Sequence, residues 1–157
     1  SILVDNEFGV LSKVSSLFSG RGFNIESLCV AETLDPKVSR MTIVTTGDDQ
    51  VIEQITKQLN KLINVIKVSD LTAEEHIERE LALIKVNANA DDRAEILSVI
   101  DIFRGKVVDV SPTTYTIEMT GDAEKVNAIT ELLRPFGIKD IARTGKIAIA
   151  RSSKTGK

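Results

Sequence analysis

Residues 5 to 28 read DNEFGVLSKVSSLFSGRGFNIESL, and within them the hydrophobic period changes from two to nearly four and back again. Upstream, Ile2 and Val4 alternate with their neighbours as a strand requires, whereas Val10, Val14, Leu17, Phe18 and Arg21 recur at helical spacing. Gly9 stands at the junction. It lacks a Cβ and sits just before a helix whose first N–H groups have no partner inside the helix, a place that attracts an anion such as a carboxylate. After Gly20-Arg21-Gly22, a helix C-cap and turn, the segment Phe23, Ile25 and Leu28 to Val30 reads as a second strand, which Asn24 enters.

Working outward, Leu34-Asp35-Pro36-Lys37 has turn composition and leads into Arg40 to Thr45, rich in β-branched residues, so the two strands form a hairpin. Asp48 and Asp49 offer a cap to a helix carrying Ile52, Ile55, Leu59 and Leu62 on one stripe, and Val65 to Val68 closes a βαββαβ unit. The polar, mainly acidic stretch TAEEHIER, 72–79, has the composition of a connector. Beyond it the same order repeats. A strand at Leu81 to Val86 precedes a helix with Ile96, Val99, Ile100 and Phe103, introduced by Asp91-Asp92 and ended by Arg104-Gly105. Strands at Lys106 to Val110 and Tyr115 to Met119 flank Ser111-Pro112-Thr113, then come a helix with Val126, Ile129, Leu133 and Phe136, and a strand from Ile138 to Ala142. The expectation is an α+β protein of two ferredoxin-like βαββαβ sandwiches: 1–71, a connector 72–79, a second domain 80–151 that includes a short strand at Ile147 to Ile149, and a frayed tail 152–157. With helices on one face of each sheet, the sheets are expected to pair between protomers and give a homodimer.

The chain has 157 residues, a hydrophobic share of 42% and a charged share of 27%, ordinary values for a globular protein. A net charge of -3 and a pI near 5.3 leave no basic footprint for nucleic acid. A single Cys excludes an intramolecular disulfide, and no apolar run is long enough to span a membrane, so a cytoplasmic location is expected. The start at Ser1 without an initiator Met leads us to expect native residues ahead of it and a longer first strand.

The inventory for catalysis is poor. His76 is the only histidine, and it lies in the acidic stretch; Cys29 sits in the apolar run Leu28-Cys29-Val30, where a small packing residue is the plain reading. Gly20-Arg21-Gly22 follows a helix rather than preceding one, the reverse of a phosphate-binding loop. The acidic residues Asp48, Asp49, Glu53, Glu74, Glu75, Glu78 and Glu80 read as solvated faces. No catalytic or metal residue is assigned.

The strings NEFGVLSKVSSLFSGRGFNIESL, LDPKVSRMTIV, DIFRG, VVDVSPTTYTIEMTG and ARTG closely resemble the regulatory small subunits of acetolactate synthase, also called acetohydroxyacid synthase. The resemblance covers essentially the whole chain. It implies an N-terminal ACT domain, a C-terminal ferredoxin-like domain, and association with a separate catalytic subunit that carries thiamine diphosphate, magnesium and FAD, none of which should bind this chain. It further implies that the chain raises the activity of that partner, in branched-chain amino-acid synthesis, and confers feedback inhibition, typically by valine. By the same resemblance the effector lies between paired ACT domains, against Asn6, Gly9 and Val10 on the first turn and Asn24 and Ile25 on the second strand. Phe8 stands where related chains often have a small residue or proline, which leaves leucine and isoleucine as alternative effectors. A free-standing amino-acid sensor is the rival reading, without a helix-turn-helix or basic patch to support it.

Overall fold

The computed structural model describes residues 1–152. The first half runs β1 (Ile2–Asp5), α1 (Val10–Gly20), β2 (Ile25–Glu32), β3 (Val38–Thr45), α2 (Asp49–Asn60) and β4 (Val65–Val68). Its sheet has the order β2-β3-β1-β4 with antiparallel neighbours. This is the ferredoxin-like arrangement expected from the βαββαβ pattern. Ile2 lies opposite Met41 on one side and Val68 on the other, which sets the register of the two central strands.

The helical period decides what is buried. Val10, Val14 and Phe18 of α1 and Ile55 and Leu59 of α2 close over Ile2, Val4 and Met41 of the sheet. Each fully buried large side chain here stabilises the fold by about 1.5–3 kcal/mol. Asp48 caps α2 by accepting the Val51 N–H at 2.9 Å, as its position in the sequence implies. Leu62 lies past the end of α2 but still packs on the core.

One expected boundary moves. Asn24 precedes β2, which starts at Ile25 opposite Thr45. The chain is still turning before it: Phe23 N–H donates to the Phe18 carbonyl at 2.9 Å, and the two rings meet edge to face with centroids 6.5 Å apart.

The second half runs β5 (His76–Asn87), α3 (Arg93–Ile102), β6 (Lys106–Val110), β7 (Thr114–Gly121), α4 (Ala123–Leu133), a 3-10 turn at Arg134–Phe136, β8 (Ile138–Arg143) and β9 (Ile147–Ala150). The sheet order β6-β7-β5-β8 repeats the topology of the first. Ile84 and Ile117, paired across β5 and β7, lie under Ile96, Ile100, Ile129 and Leu133 of the helices. Asp122 caps α4 through the Lys125 N–H at 2.9 Å. At the end of α3 the left-handed residue is Arg104, φ 56, rather than the glycine beside it. Gly105 sits in close quarters instead, since a Cβ there would lie 3.3 Å from Ile100 Cγ2 and 3.4 Å from the Glu118 carbonyl oxygen, tight contacts that the neighbours would have to ease.

The span read as a connector, 72–79, is not all connector, because β5 already begins at His76. Alternation of burial continues through its polar residues. Glu80, read as a solvated carboxylate, is only 4% exposed and pairs with Arg143. Polarity hid the strand: a core-side glutamate with its charge matched looks in sequence like a surface one. The described residues divide into two compact units, Ser1–Ile77 together with 146–152, and Glu78–Gly145. The segment 146–152 groups by its contacts with the first unit. Its strand β9 pairs with β5, whose first residues belong to the same unit, and Arg151 N–H donates to the Glu75 carbonyl at 2.8 Å. Of the expected frayed tail, residues 153–157 lie outside the described residues. Among the described residues no helix is long and apolar enough to cross a membrane.

Candidate functional site

The loop between β1 and α1 is built around Gly9, the N-cap of α1, at φ 82 and ψ -5. Only glycine takes this left-handed conformation without strain. No side chain caps the helix, so the N–H groups of its first turn point outward past a residue that has no side chain. Beyond its own chain neighbours, a Cβ built on Gly9 meets no atom within 4 Å, so the space in front of it is open. Val10 is buried in the core and offers this site only its backbone, with its N–H loosely held by the Glu7 carbonyl at 3.4 Å. Phe8 is fully exposed beside it.

Asn6 ties the loop to the β2–β3 hairpin. Its N–H donates to the Lys37 carbonyl at 2.8 Å, and its side-chain Nδ2 donates to the Pro36 carbonyl at 2.9 Å and to Glu32 Oε1 at 3.1 Å. On the other flank, Asp5 N–H donates to the Asn64 carbonyl at 2.9 Å, Asn64 Nδ2 returns a bond to Asp5 Oδ2 at 3.2 Å, and Lys13 Nζ donates to Asn64 Oδ1 at 3.0 Å. The loop is therefore clasped from both sides. Glu32 and Asn64 were not found from the sequence, where nothing marks residues so distant in the chain as partners of this turn.

The remaining candidates are elsewhere. Asn24 is exposed just before β2, and its backbone carbonyl accepts a hydrogen bond from Thr45 Oγ1 at 2.6 Å. Ile25, half-buried, is the first residue of the same strand. Asn6 contacts Glu32, the last residue of β2, so the two groups of candidates lie at opposite ends of that strand. Seven steps of strand separate Ile25 from Glu32, roughly 23 Å at the usual rise. One chain alone does not bring Asn6 and Gly9 together with Asn24 and Ile25.

An open cleft of about 640 Å³ in the first unit, lined by Thr46, Glu53, Thr56, Lys57, Asp70 and Thr72 among others, offers less. Its polar groups are engaged with one another: Lys57 pairs with Glu53 at 2.6 Å, and Thr56 Oγ1 donates to the Ile52 carbonyl at 3.0 Å. The Thr72 N–H donates to Asp70 and, with its hydroxyl, holds that carboxyl below the usual range. Among the described residues no group of three or more His, Cys, Asp and Glu could hold a metal ion. His76 Nδ1 lies 2.8 Å from the Glu74 carbonyl, and Cys29 is half-buried.

Residues 1–67 match the family described as the AHAS small subunit-like ACT domain, and residues 79–152 match the small subunit of acetolactate synthase. The acetolactate synthase small subunit of Aquifex aeolicus is 59% identical over 152 residues, covering 96% of this chain and 79% of that protein. The probable acetolactate synthase small subunit of Methanothermobacter thermautotrophicus is 54% identical, covering 99% of this chain and 93% of its own length. The crystal structure of the acetolactate synthase small subunit from Thermotoga maritima superposes with a TM-score of 0.88 at 47% identity, covering 96% of this chain and 94% of that one. Two ferredoxin-like domains, an uncapped glycine turn and these matches along nearly the full length agree: the chain belongs to the family of acetolactate synthase small subunits, which are regulatory and not catalytic.

Proposed function

We propose that this chain pairs through its N-terminal domains, activates the acetolactate synthase catalytic subunit, and lowers that activity again when a branched-chain amino acid, valine, binds between the paired domains. Feedback of this kind matches the end product of a branched-chain pathway to its first common step. The observation that carries the reading is the separation of the candidate residues along β2. This strand is an outer strand of its sheet. Two copies joined by antiparallel pairing of their β2 edges are related by a two-fold axis, which sets the start of one strand beside the end of the other. Asn6 and Gly9 of one copy then face Asn24 and Ile25 of the second, and the scattered halves become one site, present twice.

The chemistry of each half supports an amino acid. First-turn N–H groups at Gly9 suit the carboxylate, and the asparagine oxygens suit the ammonium. Apolar surface at the seam, where Ile25 of β2 is half-buried, suits a branched aliphatic side chain. The test is acetolactate formation by the catalytic subunit alone, with this chain, and with this chain and valine. Stimulation that valine suppresses is the expected result. Stimulation without a valine response would reject the effector, and no stimulation without complex formation would favour a free-standing sensor.

A further inference from the structure

The Asn6 amide is oriented by its surroundings. Both groups near its Nδ2, the Pro36 carbonyl at 2.9 Å and Glu32 Oε1 at 3.1 Å, are acceptors, so the nitrogen must face them. Both amide hydrogens are thereby used. The one polar atom left on this side chain is Oδ1, which can only accept. A ligand reaching Asn6 therefore meets a carbonyl oxygen and, next to it, the Glu32 carboxylate. This end of the site is negative, while the Gly9 end, with its outward N–H groups, is positive.

We infer that Glu32 makes the effector site selective for a zwitterionic α-amino acid over the 2-oxo acid of the same carbon skeleton, by supplying the negative charge that the ammonium group meets. The inference rests on the reading that an amino acid binds at Gly9 and Asn6. A carboxylate alone satisfies the helix end of the site and leaves the Asn6–Glu32 end facing an oxo group, which has no hydrogen to donate. An ammonium group donates to both. The distinction matters to a regulator of this family, because a carbon skeleton carrying the oxo group is chemically the precursor of the amino acid it must sense.

The test titrates the full chain and its Glu32→Gln and Glu32→Lys variants with valine and with 3-methyl-2-oxobutanoate, following backbone amide signals of α1. Glu32 is exposed, and unchanged circular dichroism and melting of the variants would show that the fold is intact. Loss of one charge-assisted contact should weaken valine by about tenfold in Glu32→Gln, and more in Glu32→Lys, while binding of the oxo acid holds or improves. Equal weakening of both ligands would mean that Glu32 only holds the loop, and would overturn the inference. So would a flat series in which both variants bind valine like the unaltered chain. Failure of the unaltered chain to bind valine, leucine or isoleucine would instead remove the underlying reading.

Discussion

Gly9 can be tested for conformation and for access at once. Alanine at φ 82 carries a left-handed penalty of about 1–2 kcal/mol, and since its Cβ would meet nothing within 4 Å, no clash adds to that. Gly9→Ala should therefore lower the melting midpoint by about 2–8 °C, and a scanning melt measures this. The methyl group would stand in front of the first-turn N–H groups, so valine inhibition should be lost, and more completely in Gly9→Asp, while activation of the catalytic subunit persists. Full inhibition in either variant would detach the effector from this turn. A structural counterpart lies in the second unit, where Glu80 is 4% exposed and Arg143 is its ion-pair partner. Arg143→Ala leaves a buried carboxylate unmatched and should cost about 2 kcal/mol in urea unfolding, less than for a fully buried pair because the arginine is partly solvated. Replacing both by leucine should recover most of that loss, since the unmatched charge goes with its partner. A double variant as unstable as Arg143→Ala would show that the loss does not come from the unmatched carboxylate.

The helices hold the sheets by few side chains. Leu59 is the last core residue of α2 and is 2% exposed, so Leu59→Ala should cost about 2–5 kcal/mol by transfer and cavity terms together. Asp48→Ala, which removes only the cap, should cost about 1 kcal/mol, and equilibrium unfolding of the two variants separates packing from capping. Positions of this kind were legible in the sequence because their burial follows the helical period and their caps are adjacent in the chain. The start of β5 was not, because its alternation runs through His76, Glu78 and Glu80, whose polarity masks their placement. The site was legible in half. Gly9 announces itself by residue type before an amphipathic stretch, whereas the partners that fix Asn6 and Asp5 come from 26, 30 and 59 residues away and meet them only through strand register and the turn before β4. Periodicity reads faces of elements; it carries no information on which loop meets which.

On the proposed pairing, a site divided between the ends of an edge strand would tie ligand binding to association of the protomers. Binding of valine across such a pair would add its free energy to the dimer, by about 2.7 kcal/mol per site at a hundredfold excess over the dissociation constant. Coupling is reciprocal, so whatever weakens the dimer must weaken the ligand by the same factor wherever monomers are populated. Val30, exposed on β2, places a test at the proposed seam without touching the Gly9 turn. Val30→Asp puts two like charges near the axis of an antiparallel β2 pair and should shift the dimer to monomer at concentrations where the unaltered chain stays paired, as sedimentation would show. Valine should partly restore the dimer of that variant, and its inhibition curve should move to higher valine as protein is diluted. A monomeric Val30→Asp chain that binds valine with unchanged affinity would place the whole site within one protomer, against the roughly 23 Å that strand geometry sets between its halves.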